Sequence, residues 1–335
     1  MKMLMFDFRD SEKEFFANND FPDFDITYIK EPLNEQTELT EEQLQETDII
    51  CVFINSVLSE NVIKKFKNLR IIATRSTGYN HIDLKCCTQN NIAVFNVEQY
   101  GQTAVAQFTM GLIITLVRKI FPAYIDVQNN LINHRDYEGR NIDSMTLGII
   151  GCGAIGGAVA KLANLFGMRV ITYSYTKNNS LKDSIEYVSL DELLAQSDVI
   201  TLHLPYTSSN YYMLGENEFK KMKHGVYIIN TARGELIDIG ALYQNIMSGK
   251  VSGVALDVLE CEQLSLHEKN IDGIKSSDTT CITSALITQK LLGLKNVIIT
   301  PHIAYNTKES VDILLETTFN NIRDYLKGEH EKRIC

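Results

Sequence analysis

Thr146-Leu-Gly-Ile-Ile-Gly151-Cys-Gly153-Ala-Ile-Gly156 is the stretch that decides the fold. A β-branched run enters G-x-G-x-x-G, a helical pattern continues through Leu165, and a second apolar run begins at Arg169. Each glycine in such a strand–turn–helix has its own task. The first permits the tight turn, the second lets a pyrophosphate approach the backbone, and the third lets helix and strand pack closely. The helix N-terminus adds partial positive charge. A bare glycine motif is weak evidence, because a tight strand–helix turn needs no ligand. Its setting inside a β-α-β unit predicts a nicotinamide-type dinucleotide site.

NAD-preferring sites place an acid at the end of the next strand, for the ribose 2′-hydroxyl. Here that strand reads Val170-Ile-Thr-Tyr-Ser174-Tyr-Thr-Lys177, with Ser174 at the acidic position. No carboxylate repels a 2′-phosphate, and Lys177 either attracts one or is a solvated loop lysine. The motif therefore predicts a nicotinamide-type dinucleotide without choosing between NAD(H) and NADP(H).

Working outward, further strands are predicted at Val199–Leu202, Val226–Asn230, Gly253–Asp257 and Val297–Thr300, with a short one at Glu186–Val188. Ser189-Leu-Asp-Glu192 reads as a capping box. The first hundred residues alternate in the same way. Strands are predicted at Leu4–Phe8, Ile26–Ile29, Ile49–Ile54, Ile71–Thr74 and Ile92–Phe95, and helices at Glu41–Thr47, Ser59–Phe66 and His81–Gln89. A long helix is expected from Gln102 to Asn129, kinked at Pro122, and a last one from Thr307 to Lys327 ending at Gly328. Cys261–Lys295 lacks a clean period, and a helix is expected near Ile287–Leu294.

The pattern predicts an α/β chain with two Rossmann-like or flavodoxin-like parallel-sheet domains. Because about 145 residues precede the glycine motif, the dinucleotide-binding domain (101–301) is expected to be inserted into a substrate domain (1–100 plus 302–335).

Composition narrows the function. The 335 residues are 44% hydrophobic and 22% charged with a net charge of −10, as in an ordinary globular protein. The acidic balance disfavours nucleic acid and anionic lipid; Asp7 to Asp48 alone holds 14 acidic and 3 basic residues. The longest apolar run, Met110–Val117, is too short for a membrane span. Seven scattered cysteines with no C-x-x-C pair predict neither a metal site nor a disulfide, and a reducing cytoplasm is the expected compartment.

Ligands of open parallel sheets bind beyond the carboxyl ends of strands. Just past the predicted strands stand His203-Leu-Pro205, Thr231-Ala-Arg233-Gly234, Val258-Leu-Glu260-Cys-Glu262 and Pro301-His302. An arginine, a carboxylate and a histidine at one end of the sheet suit hydride transfer at a carbonyl. Arginine forks onto a carboxylate and polarises the adjacent keto oxygen. Histidine exchanges the accompanying proton, and a paired carboxylate keeps it protonated to higher pH. Taken singly, each has a bland reading as a strand-end or loop residue. Glu260 and Glu262 are not separated at this level, and Asp257 is either structural or an orienter of Arg233.

At these residues the chain resembles the D-isomer-specific 2-hydroxyacid dehydrogenases, nearest their D-lactate dehydrogenase branch, including the vancomycin-resistance type. Thr74-Arg-Ser-Thr-Gly-Tyr-Asn-His-Ile-Asp83, Gly148–Gly156, Leu202–Pro205, Ile229–Asp238, Ala255–Glu262 and Asn296–Tyr305 carry the resemblance. It implies Arg233, Glu262 and His302 as the catalytic set. Thr77, Gly78, Tyr100 and Tyr305 fall at substrate positions. Cofactor contacts are implied at Ala154, Ile155, His203, Leu204, Pro205, Asn210, Thr231, Ala232 and Asp257, beside the three glycines, Ser174 and Lys177. It further implies a homodimer and a small 2-keto or 2-hydroxy acid as substrate, pyruvate first, with the D-2-hydroxy acid as product. Glyoxylate or hydroxypyruvate reduction is the alternative within the chemistry, and a dinucleotide-sensing corepressor is the alternative outside it.

Overall fold

The β-branched runs become strands in a computed structural model that describes all residues except 132–136, 178–180, 182–183, 268–278 and 330–331. Two units divide the chain, one of residues 1–100 and 306–335, the other of 101–305. The second crossing lies after Tyr305, so His302 and Tyr305 belong to the larger unit.

The smaller unit carries strands β1 (Lys2–Met5), β2 (Asp25–Tyr28), β3 (Ile49–Val52), β4 (Ile71–Thr74) and β5 (Ala93–Phe95). They form a parallel sheet in the order β2-β1-β3-β4-β5, the flavodoxin-like arrangement. Helices α1 (Lys13–Asn18), α2 (Glu41–Glu46), α3 (Glu60–Ile63) and α4 (Leu84–Gln89) connect the strands. The short α1, rich in phenylalanine, was not anticipated by the period. Phe16 and Phe21 pack on Phe319 of the last helix instead. β3 and β4 are buried at every position, as strands covered on both faces must be.

The larger unit opens with α5 (Gln102–Val117) and α6 (Ile120–Gln128), which meet at a bend of 66°. A single helix kinked at Pro122 is thus corrected. The break falls at Arg118-Lys119, where Lys119 takes a left-handed φ of 51°. Pro122 sits in the first turn of α6, where its missing N–H costs nothing. Helix α5 packs on α7 (Ala154–Leu165) and on the sheet beneath it. No single helix among the described residues is long and apolar enough to cross a membrane.

The sheet itself comprises β6 (Thr146–Ile150), β7 (Arg169–Tyr173), β8 (Glu186–Tyr187), β9 (Val199–Leu202), β10 (Val226–Asn230), β11 (Val251–Leu256) and β12 (Val297–Ile299). All are parallel in the order β12-β11-β10-β9-β6-β7-β8. The chain moves outward from β6 to β8 and returns to β9 on the other side of β6. That reversal is the Rossmann switch point. Two apolar layers cover the sheet: α8 (Leu190–Gln196), α9 (Glu216–Lys221) and α10 (Ile239–Met247) border one, α5 and α7 the other. The capping box forms, with Glu192 Oε2 accepting from Ser189 N at 2.9 Å.

Between β11 and β12 lie α11 (Glu262–His267) and α12 (Thr279–Leu292), longer than the helix expected near Ile287–Leu294. Cys261 and Cys281 are joined in a disulfide, which corrects the expectation of none. No spacing signal marks them, because they meet through the packing of α11 on α12. The chain's last helix is α13 (Lys308–Leu326), capped by Thr307 and stopped at Gly328, whose φ is 97°.

Candidate active site

The glycine loop leaves β6 at the switch point. Gly151 has φ 97°, and a Cβ there would come within 2.9 Å of the His203 carbonyl and 2.8 Å of Leu204. The loop and the turn after β9 therefore lie backbone to backbone. A Cβ at Gly156 would overlap the carbonyl oxygen of Gly151, so helix α7 can seat only on glycine there. Gly153 caps α7 and differs from both. A Cβ on it would meet no atom within 4 Å, so the space before the helix N-terminus is open. A close wall, a tight helix seat and an open mouth fit a pyrophosphate held by backbone N–H groups. Ala154 is exposed and Ile155 half-buried on the first turn of α7, beside that mouth.

At the end of β7, Ser174 is half-buried and Lys177 exposed. The Lys177 ammonium lies 5.7 Å from the centre of the Tyr187 ring. Across the switch point, His203 Nε2 stands 3.0 Å from Thr201 Oγ1, while its Nδ1 is enclosed without a partner. Burial pushes this imidazole down to about 3, so it is neutral. Asn210 spends both ends of its amide on the same turn, donating to Pro205 O at 2.9 Å and accepting from Thr207 N at 2.7 Å. It shapes the loop that follows β9.

Three successive strands of the sheet deliver the polar set. After β10, Asn230 holds the turn from both sides, donating to Arg233 O at 2.8 Å and accepting from Ala232 N at 3.0 Å. Thr231 is tied to Thr109 of α5 at 3.0 Å. The Arg233 guanidinium donates to Ala232 O at 2.6 Å. Gly234 lies flush on the Leu259–Glu260 peptide, where any Cβ would overlap backbone.

After β11, Asp257 is 1% exposed and accepts three bonds from the turn after β12: Thr300 Oγ1 at 2.6 Å, Ile303 N at 3.0 Å and Ala304 N at 2.8 Å. Its burial raises its proton affinity above that of an ordinary aspartate. Its three partners belong to the His302 turn. That turn is unusual, because His302 itself has φ 53°. A left-handed histidine costs on the order of 1 kcal/mol, and the Asp257 clamp fixes it.

His302 Nδ1 then meets Glu262 Oε2 at 3.0 Å, with the two side chains 28% and 29% exposed. The other oxygen of Glu262 accepts from Leu259 N at 3.2 Å. The bond assigns the Nδ1–H to Glu262 and leaves Nε2 for a reactant. Tyr305 stands edge-on to the His302 ring at 6.5 Å.

In the smaller unit, Thr77 donates to Val97 O at 2.9 Å and Ser76 to Gly78 O at 2.6 Å. Behind them Arg75, 1% exposed, grips both Glu12 oxygens at 2.8 Å. The Thr74–Gly78 loop is therefore rigidly held. Tyr100 ends this unit and is half-buried.

Sequence reasoning passed over one cluster. The Glu260 carboxylate accepts from Tyr211 Oη at 2.9 Å, Tyr212 Oη at 2.8 Å and Ser284 Oγ at 3.0 Å. Its donors come from segments 49, 48 and 24 positions away, so no local motif betrays it.

The family model for the NAD binding domain of the D-isomer specific 2-hydroxyacid dehydrogenases matches residues 110–304. An aromatic 2-oxoacid reductase of Clostridium sporogenes (strain ATCC 15579) is 38% identical over 86% of each chain. The D-lactate dehydrogenase of Escherichia coli K12 is 31% identical over 98% of each. Among solved structures, D-lactate dehydrogenase from Aquifex aeolicus, complexed with NAD and lactic acid, superposes with a TM-score of 0.84 at 35% identity, covering 98% of this chain and 97% of that one. D-2-hydroxyisocaproate dehydrogenase gives 0.84 at 30% identity, covering 100% and 99%.

Proposed function

Because the chain belongs to the D-isomer-specific 2-hydroxyacid dehydrogenase family and is an NAD-dependent oxidoreductase of 2-hydroxy acids, we propose that it reduces a small 2-keto acid, pyruvate first, to the D-2-hydroxy acid. The observation that carries this reading is the 3.0 Å bond between His302 Nδ1 and Glu262 Oε2, on a turn clamped by Asp257.

Gly151, Gly153, Ala154, Ile155 and Gly156 would hold the pyrophosphate of a nicotinamide dinucleotide, with Leu204, Pro205, Asn210, Thr231 and Ala232 lining its path, and its chemistry there would be hydride supply to the carbonyl carbon. Arg233 forks onto the substrate carboxylate and draws charge onto the keto oxygen. His302 gives a proton from Nε2 to that oxygen, and Glu262 holds the ring and balances its charge. Thr77, Gly78 and Tyr100 of the smaller unit and Tyr305 of the larger are the remaining substrate positions that the family resemblance implies. With Ser174 in place of the acid, no carboxylate at that position would repel a 2′-phosphate, and NADPH is expected to serve beside NADH. The exposed apolar residues Ile120, Phe121 and Tyr124 of α6 support a homodimer. A cytoplasmic location accords with the acidic composition of the chain.

Loss of absorbance at the reduced-nicotinamide band, with NADH and NADPH in parallel, tests the reading. Pyruvate is expected to support turnover, and Arg233→Ala or His302→Ala to lower kcat/KM by about 10³-fold or more. Turnover retained in both variants would overturn the assignment. The identity to the Clostridium enzyme favours a second reading, an aromatic 2-oxo acid. Phenylpyruvate preferred over pyruvate would select it.

A further inference from the structure

We infer that Glu260 is a positioning residue for the reaction, fixing Glu262 and the Arg233 turn through one shared wall of backbone. The inference rests on the catalytic assignment of His302 and Glu262 proposed above. Glu262 is the acid that meets His302, while the Glu260 carboxylate two residues before it collects three hydroxyl donors from distant segments. Tyr211, Tyr212 and Ser284 all donate to its carboxylate, at 2.8–3.0 Å. The two phenol rings stack with centres 3.9 Å apart, so the donors are themselves fixed. Burial and the neighbouring carboxylate raise the proton affinity of both phenols, which keeps them donors.

The consequence is geometric. Glu260 anchors a loop of three consecutive residues with separate duties. Residue 260 ties the loop to α12 and to the Tyr211-Tyr212 segment. Cys261 adopts φ 54° and is bridged to Cys281, also on α12. Glu262 turns back to accept from Leu259 N and to meet His302. The same Leu259–Glu260 peptide is the surface on which Gly234 rests without room for a Cβ. A shift of Glu260 therefore moves the general-acid pair and the substrate-binding arginine together. Three hydroxyl donors converging on one carboxylate make a strong restraint, because hydrogen bonds to carboxylates are among the strong ones. The Ser265 hydroxyl donates to Glu260 O at 3.3 Å and closes the loop from the α11 side.

The test is a double-mutant cycle with an activity-free readout beside it. Glu260→Ala is expected to lower kcat by about 10–30-fold while NADH affinity, read by fluorescence, changes less than about twofold. If Glu260 acts through Glu262 and the Arg233 turn, the Glu260→Ala/Glu262→Gln enzyme loses less than the product of the two single losses, the remainder being the share carried by the Arg233 turn. Glu260→Gln, which keeps the shape and one acceptor, is expected to restore most of kcat. Additive losses in the cycle, or a Glu260→Ala enzyme with wild-type kcat, would overturn the inference. Should Glu260→Ala fail to fold, Tyr212→Phe and Ser284→Ala each remove a single donor and are expected to cost kcat about 2–5-fold.

Nitrogen-15 histidine NMR separates this inference from the reading it rests on. A His302 Nδ1–H resonance, assigned by its absence in His302→Gln, is expected in the wild type and lost or broadened in Glu260→Ala. Its persistence unchanged in Glu260→Ala refutes the positioning role even where turnover cannot be scored. Conversely, a wild-type chain that reduces no 2-keto acid, yet loses the resonance in Glu260→Ala, faults the proposed substrate and not the positioning.

Discussion

His203 and His302 show how differently the fold treats two histidines that both follow a strand. His302 is left in reach of solvent, in a left-handed backbone, with a carboxylate on one nitrogen. His203 is turned inward, with Nδ1 enclosed and unpartnered. Burial lowers its pKa from 6.5 to about 3. Between those values the unfolded chain binds a proton that the folded chain refuses, so folding stability falls as pH drops through this window. The limiting slope is about 1.4 kcal/mol per pH unit. Thermal melting at pH 7 and pH 5 is expected to show a larger loss for the wild type than for His203→Gln. Equal losses in the two proteins would mean that the ring is not kept neutral. Proximity to a strand end was legible in the sequence for both residues, whereas the direction each ring faces was not. Direction depends on what stands beside each ring, here the Thr201 hydroxyl for His203 and the Glu262 carboxylate for His302.

At the scale of elements, the glycines divide the sheet edge into places where backbone must touch and a place where it must not. A Cβ on Gly234 would overlap the Leu259–Glu260 peptide, whereas one on Gly153 would meet no atom within 4 Å. Gly234→Ala is accordingly expected to lower the melting temperature by several degrees and kcat by at least about tenfold, since an overpacked methyl costs roughly 1–3 kcal/mol. Gly153→Ala is expected to leave melting within a degree of the wild type and to weaken NADH binding alone. Melting curves and fluorescence titration of the two variants check this, and the reverse pattern would show that the open and closed sides are misassigned. Elements with a clear period were read within a residue or two, as β6, β7, β9 and β10 show. Those without one were misread for identifiable reasons. α5 and α6 have one continuous apolar composition, and only the left-handed Lys119 divides them. α11 and α12 are positioned by a disulfide and by Ser284 and Gln289, contacts that cross the loop rather than run along it.

For the whole molecule, the division into 1–100 plus 306–335 and 101–305 has a direct consequence. The larger unit holds the glycine loop, the Asp257 clamp and the Glu262–His302 pair, and closes its own apolar layers on both faces of one sheet. A polypeptide of residues 101–305 alone is expected to melt cooperatively and to bind NADH, while reducing no 2-keto acid. Circular dichroism and NADH fluorescence measure both properties. A chain that stays unfolded would show that the larger core depends on the smaller unit.

The sequence by itself determined the two parallel sheets and the glycine loop, and it placed an arginine, two acids and a histidine just past the strand ends. Strand burial writes itself as unbroken β-branched runs, and a turn that must pass a phosphate writes itself as glycine. Tertiary structure set Glu262, the acid the family resemblance implies, against His302, and alone decided that Asp257 serves the His302 turn. It also decided that Cys261 and Cys281 join, and that Tyr211, Tyr212 and Ser284 converge on one carboxylate. Hydrogen bonds between side chains 20 to 50 positions apart leave no period or spacing along the chain. They exist only once packing has brought their elements together.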